Sequence, residues 1–334
     1  MRWATFNILH GRRLDSRGRP VPDDGTDPRT PLAEAVAALD ADVLALQEVD
    51  RLQPRSGRAD QAAVAAAAMG AKDWRYASAL HARGVTGLGW VPDSTVPGLR
   101  VYGPGDDADA ATQVPSHGVA LLSRLAVREW RALRLPPAPV GFPLAMAGQR
   151  GLSWVRDQPR AALAAVLEGP HGPFTAVALH LSFVPGWNIR QLVAVRRWVA
   201  ALPRPHVLLG DFNLVGTVPA AVLNSAEFRA RRGRSDGATG PSGRLRWRDA
   251  GRPATFPAHR PLVQFDHILI AGAGTGSGAR SDGGSDGGSG AGSGTRSEAE
   301  AAAGRPLAVH GVRTPVSAVS DHRALVAEWE PVTP

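Results

Sequence analysis

The sequence predicts a mixed α/β (α+β) fold: a mixed sheet, or two packed sheets, with helices on the outside. Three observations predict it. Short apolar runs of strand length recur along the chain, and amphipathic helical stretches lie between them without strict alternation. One pair of runs, Arg160–Leu167 and Phe174–His180, is joined by a Gly/Pro turn, as in a hairpin. The chain has 334 residues, 43% of them hydrophobic, enough to bury a substantial core.

The elements follow in order. Arg2–Ile8 reads as an opening strand bounded by His10-Gly11, and a loop rich in Arg, Asp, Gly and Pro runs on to about Thr30. Pro31 opens a helix whose Leu32, Val36 and Leu39 fall on one stripe. Asp42–Glu48 is a second buried strand that ends in polar residues. Gln61–Met69 is an alanine-rich helix stopped by Gly70. Trp74–Ala79 reads as a strand, and Leu80–Pro115 as a long excursion holding at most short strands. Gly118–Ser123 is the next strand, and the proline-rich Leu135–Pro143 a second excursion.

After the hairpin, Asn188–Leu202 carries Ile189, Leu192, Val193, Val199 and Leu202 on one helical face. His206–Asn213 follows, an uninterrupted apolar run ending in glycine, an acid and an amide, and so a buried strand with Gly210 as a tight exit. In extended geometry Asp211 and Asn213 point the same way. Pro219 starts another helix, to about Ala230. Arg231–Pro253 is polar and loop-like, and Gln264–Ile270 is a late strand. The Gly/Ser/Ala/Asp-rich tract 271–304 buries too little apolar area to offset its ordering entropy, so it is expected to be a disordered insertion. Strands at Leu307–Arg313 and Arg323–Trp329 resume beyond it.

Composition narrows the function classes. There are no cysteines, which excludes disulfides and thiolate metal sites. The net charge is +8, carried almost wholly by arginine, with Lys72 the only lysine. An anionic, phosphate-bearing partner is one reading of that balance; an arginine-rich composition spread over a solvated surface is the other, and it is preferred for most individual arginines because no dense basic run occurs. Nine tryptophans are scattered and tyrosines number two, so the interleaved aromatic and basic pattern of a base-stacking surface is absent. No apolar run is long enough to span a bilayer, and no signal peptide is legible; a cytoplasmic monomer is expected.

The chemistry-bearing residues lie at or near the ends of the apolar runs: Asn7, Glu48, His180, Asp211, Asn213, Asp266, Asp321 and His322. Each alone reads equally as a turn former or a strand end. In order, however, the stretches Thr5-Phe6-Asn7-Ile8, Leu46-Gln47-Glu48-Val49-Asp50, Gly118–Arg124, Leu179-His180-Leu181-Ser182, Gly210-Asp211-Phe212-Asn213, Phe265-Asp266-His267 and Ser320-Asp321-His322 resemble the DNase I-like endonuclease/exonuclease/phosphatase superfamily. The resemblance runs from Arg2 to Trp329, with Gly-Asp-Phe-Asn and Ser-Asp-His its most specific parts.

The resemblance implies a four-layer α/β sandwich: two packed mixed β-sheets with helices on both outer faces, in one domain spanning 1–334. It implies a phosphate-ester substrate, nucleic acid among the candidates, and Mg²⁺ or Mn²⁺ as cofactor. Glu48 would be the principal metal ligand, with Asn7 beside it and Asp321 a further member of the metal shell. Asp211 would orient and deprotonate the attacking water, and Asn213 would hold that water or a phosphate oxygen. His322 would contact the scissile phosphate, with Asp266 fixing its tautomer. His180 would donate to a non-bridging oxygen or assist the leaving group. Arg160 is a weaker candidate, His117 a possible substrate contact, and Arg190-Gln191 structural. The implied reaction is phosphodiester hydrolysis; a phosphomonoesterase acting on inositol phosphates or nucleotides, and a non-catalytic phosphate-binding protein, are the alternatives.

Overall fold

The computed structural model describes residues 1–22, 24–85, 89–106, 113–145, 151–232, 245–273 and 307–331. Along them the chain forms β1 (Arg2–Asn7), α1 (Arg29–Ala37), β2 (Val43–Arg51), α2 (Gln61–Met69), β3 (Asp73–Val85), β4 (Gly89–Pro92), β5 (Arg100–Tyr102), β6 (Ser116–Ser123) and β7 (Val127–Leu135). It continues with β8 (Phe142–Ala145), β9 (Leu152–Val155), β10 (Arg160–Gly169), β11 (Gly172–His180), α3 (Trp187–Trp198), β12 (His206–Asp211) and α4 (Val218–Arg232). β13 (Leu245–Asp249), β14 (Asp266–Ala273), β15 (Leu307–Arg313) and β16 (Leu325–Pro331) complete the series.

The strands form two large mixed sheets. The first runs β15-β16-β1-β2-β6-β3-β4, with β5 also paired to β3; the second runs β13-β14-β12-β11-β10-β7. Alternation along the strands sends one set of side chains between the sheets and the other outward. Trp3, Ala45 and Leu121 of the first sheet meet Leu163, Ala176, Leu209 and Ile268 of the second in one buried cluster. The outward side chains Phe6, Leu44 and Leu46 pack on Leu32 and Val36 of α1 and Ala62 and Ala65 of α2. Leu208, Phe212 and Trp247 pack on Leu192 and Val195 of α3 and Leu223 of α4. The order of layers is therefore helix, sheet, sheet, helix, the sandwich implied by the resemblance.

Local expectations hold where one physical signal dominates. α2 spans Gln61–Met69, with Asp60 accepting from the Ala63 N–H at its start and Gly70 left-handed at its end. Elsewhere the structure corrects the reading. The Trp74 strand extends through Val85 into the expected excursion. β7 was not legible because arginines at 128, 131 and 134 interrupt its apolar pattern. β13 lies inside the stretch read as polar loop, paired to β14 with Trp247 fully buried. The proline-rich excursion leads into a β8–β9 hairpin that exposes Leu152 and Trp154 at 71% and 70%. Ala271 to Ala273 belong to β14, while 274–304 of the expected disordered tract lies outside the described residues. Gly210 is not a turn: the strand continues through Asp211, and a Cβ at Gly210 would stand 2.0 Å from the Leu179 carbonyl oxygen. No helix among the described residues is long and apolar enough to cross a membrane.

Candidate active site

Three neighbouring strands of the second sheet carry the first part of the site. Across the β11–β12 register His180 stands opposite Asp211, and across β12–β14 Asp211 stands opposite Asp266. The three therefore form one row across the sheet, at the ends of β11 and β12 and the start of β14. His180, Asp211 and Asp266 are all buried.

The first sheet supplies the second part. Asn7 ends β1, and Gln47 is its register partner on β2. Beside it the β2–β6 ladder breaks between Leu46 and Val49, and Glu48 takes φ 55° at that bulge. A bulge re-aims the side chain of the extra residue, and a left-handed glutamate is held only where the surroundings over-determine it. The Asn7 amide joins the two sheets. Its Nδ2 donates to Glu48 Oε1 at 3.2 Å and to Asp211 Oδ2 at 3.1 Å, while its Oδ1 accepts from the Leu9 N–H at 3.1 Å.

The loop before β16 closes the cluster. Ser320, at φ 75°, donates its hydroxyl to the Asn7 carbonyl at 2.6 Å and accepts from the His322 N–H at 3.0 Å. His322 Nδ1 lies 2.8 Å from Asp266 Oδ2, which leaves Nε2 facing Asp211 Oδ2 at 3.9 Å. His180 Nε2 is 3.6 Å from the same Asp211 oxygen. Arg160 Nη1 lies 2.9 Å from His180 Nδ1 and 3.1 Å from its Nε2, so the arginine that sequence marked as a weak candidate sits inside the site.

Asn213 departs from extended geometry. It has φ 49°, and its backbone N–H, not its side chain, donates to Asp211 Oδ1 at 2.9 Å. Its Nδ2 donates to the Leu181 carbonyl at 3.0 Å. Oδ1 thus remains without a protein hydrogen bond among the described residues. Of the other histidines, His267 is tied to Asp249 Oδ2 at 2.6 Å and to the Leu214 carbonyl at 2.8 Å, a structural pairing. Gln191 accepts from the Ser182 N–H at 2.7 Å and donates to the Pro136 carbonyl at 2.9 Å, which agrees with its structural reading.

The electrostatics divide the site. Burial pulls the His322 imidazole down, but Asp266, through charge and hydrogen bond, overrides it with help from Asp211 and Asp321 and lifts the group to about 10. His322 is therefore an imidazolium at neutral pH. Burial pushes His180 well below its ordinary value, and the adjacent Arg160 adds to the shift, so His180 is neutral. Burial raises Asp211 against the pull of His322, with Asp266 adding to the rise. It raises Asp321 as well, with Glu48 adding. Burial alone would raise Glu48, but His117, His10 and Arg160 outweigh it and hold the group below the usual glutamate value.

The donor chemistry fits a hard divalent cation. The Glu48 charge adds to the rise that burial imposes on Asp321, a like-charge repulsion that a cation relieves. Asp211, Asp266 and His322 also bring one ligand atom each within 4.8 Å.

Two packed mixed sheets with helices on both outer faces are the fold of the DNase I-like phosphoester hydrolases. The chain belongs to the Endonuclease/Exonuclease/phosphatase family, whose profile matches residues 4–322. Solved structures agree in fold. A family protein from Beutenbergia cavernae DSM 12333 superposes with a TM-score of 0.51 at 19% identity, over 99% of this chain and 71% of that one. One from Bacteroides vulgatus gives 0.51 at 15%, over 99% and 98%. A mannosyl-6-phosphatase from Bacteroides thetaiotaomicron gives 0.50 at 14%, over 99% of both chains. No curated protein matches the chain in sequence.

Proposed function

We propose that this family member is a divalent-metal-dependent phosphodiesterase that directs water in line at phosphorus. The observation that carries the reading is the Asn7 amide, which bridges Glu48 and Asp211 from opposite sheets while His322 Nε2 stands 3.9 Å across from Asp211. Glu48 and Asp321, with Asn7 beside them, would hold Mg²⁺ or Mn²⁺. A bound cation supplies charge neutralisation at a phosphoryl oxygen.

The chain's own residues do the rest. Asp211, oriented by the Asn213 N–H and the Asn7 amide, accepts the proton of the attacking water. The free Oδ1 of Asn213 accepts a hydrogen bond from that water and fixes its approach. The His322 imidazolium donates from Nε2 to a non-bridging oxygen, where charge builds in the pentacovalent state. His180 is neutral and backed by Arg160, so it contributes a hydrogen bond rather than a charge, to a non-bridging or leaving oxygen. Asp266 holds the His322 ring in the orientation that leaves Nε2 pointing at the substrate.

Release of p-nitrophenol from bis(p-nitrophenyl) phosphate tests the reading. Activity with Mg²⁺ that is lost in EDTA is expected; no release with either Mg²⁺ or Mn²⁺ would refute diester cleavage. Phosphate release from a panel of monoesters, without diester turnover, would favour the phosphomonoesterase alternative.

A further inference from the structure

A second aspartate–histidine pair lies on the other side of Glu48. His117 Nδ1 is 2.8 Å from Asp50 Oδ1, and Asp50 is fully buried. This repeats the geometry of His322 on Asp266, also 2.8 Å and also on a fully buried carboxylate. Asp50 and His117 face each other across β2–β6, two residues beyond Glu48. His117 acts on the Glu48 carboxylate through its charge, which sets the pair beside Glu48 across the bulge.

The pair is braced on all sides. Arg55 donates to both Asp50 oxygens, each at 2.8 Å, and its guanidinium lies 4.8 Å from the Trp90 ring centroid. Trp90 in turn packs on His117 at 5.0 Å. Gln61 accepts from the Asp50 N–H at 2.9 Å and donates to the His10 carbonyl at 2.7 Å, which brings the His10 backbone to the same corner. His10 is held at φ 48°, and its Nδ1 is buried without a hydrogen-bond partner among the described residues.

Nothing in the reaction described above uses this corner. Two nitrogens remain for a ligand: His117 Nε2 and Arg55 Nη1. A buried carboxylate that fixes an imidazole through Nδ1 leaves Nε2 to meet an incoming group, and an arginine locked on the same carboxylate keeps its outer edge in register. Two such nitrogens on one carboxylate suit a cluster of anionic oxygens rather than an apolar or cationic group.

We propose that Asp50, Arg55 and His117 form a second phosphate subsite beside Glu48, so that the preferred substrate carries another phosphate next to the one that reacts. Trp90 buttresses the subsite by holding the His117 and Arg55 planes. The proposal rests on the phosphodiesterase reading for the position of the reacting phosphorus. It narrows the substrate class to polyphosphorylated molecules, whether a nucleic-acid strand, a phosphoanhydride or an inositol polyphosphate.

The test compares inhibition of bis(p-nitrophenyl) phosphate hydrolysis by inorganic pyrophosphate and by orthophosphate, with Mg²⁺ in excess of both. The wild type is expected to bind pyrophosphate about tenfold more tightly, the yield of one additional charge-assisted contact. In His117→Gln and in Arg55→Gln the ratio of the two inhibition constants is expected to fall to about two or below. Being a ratio within one preparation, it is insensitive to how much of a variant is folded. Equal inhibition in the wild type, or a ratio that neither variant changes, would overturn the subsite. Absence of diester turnover would instead refute the reaction, and calorimetric titration of the same two anions would then read the subsite by the same ratio. Thymidine 5′-(p-nitrophenyl phosphate) with and without a 3′-phosphate distinguishes the sources: a KM advantage for the bisphosphate points to a nucleic-acid strand, and none, with the pyrophosphate ratio intact, to another polyphosphate.

Discussion

His322 Nδ1 lies 2.8 Å from Asp266 Oδ2, and Asp266 is fully buried at the start of β14. The pair joins residues 56 positions apart, fixes the orientation of the imidazole and favours its charged form. Asp266→Asn keeps the shape but removes the charge. It is expected to lower kcat on a diester about 10²-fold, and His322→Ala about 10³-fold, within the range for a positioned acid or base. Steady-state kinetics on bis(p-nitrophenyl) phosphate checks both. Wild-type kcat in His322→Ala would remove that residue from the reaction.

Glu48 is held at a bulge with φ 55° and is bonded by Asn7. Glu48→Gln should raise the Mg²⁺ concentration for half-maximal activity by about tenfold or more, since even partners of metal ligands cost 10–100-fold on loss. Titrating activity with Mg²⁺ after chelator treatment measures this. An unchanged midpoint would place the cation elsewhere.

Gly210 sits where a Cβ would stand 2.0 Å from the Leu179 carbonyl oxygen. Backbone cannot yield as a side-chain tip can, so Gly210→Ala should destabilise the fold by about 1–3 kcal/mol. Urea unfolding reads it as a lower midpoint at constant slope. An unchanged midpoint would mean that β11 and β12 are less closely paired.

His81 gives the fold a pH dependence independent of the cleft. It is 4% exposed, with Nε2 2.9 Å from the Tyr102 hydroxyl, and burial with help from Arg100 lowers it to about 4. The unfolded chain takes up the proton near the ordinary value of 6.5, while the folded one waits until about 4. Stability is therefore full above about 6.5 and declines as the pH falls toward 4. In His81→Gln the slope over that window should diminish by up to one bound proton. Unfolding curves at several pH values measure the difference, and parallel profiles would contradict it.

Much of the fold was legible because its signals are local. Val207 to Leu209 could be nothing but buried, and Gly70 marks the end of α2 through its own backbone preference. The candidate cluster could be picked out because its polar residues interrupt or end apolar runs, as Asn7, Glu48 and Asp211 do. What escaped depended on partners. β7 and β13 are strands by virtue of β10 and β14, not of their own composition. Asn213 turns because its amide finds the Leu181 carbonyl, which no spacing rule foretells. Arg55 and His10 lie in short turns of ordinary composition, and only the β2–β6 pairing and the reach of Gln61 bring them to Glu48's side.

The central claim is that Asp211 and His322, on different segments, act as one centre. The most direct measurement is kcat for Asp211→Asn, His322→Ala and the double variant on one diester, with Mg²⁺ saturating. Residues that act as a unit lose little more together than apart, so the double variant should fall within about tenfold of the worse single one. Losses that multiply in full would contradict a shared transition state and leave the two residues as independent neighbours.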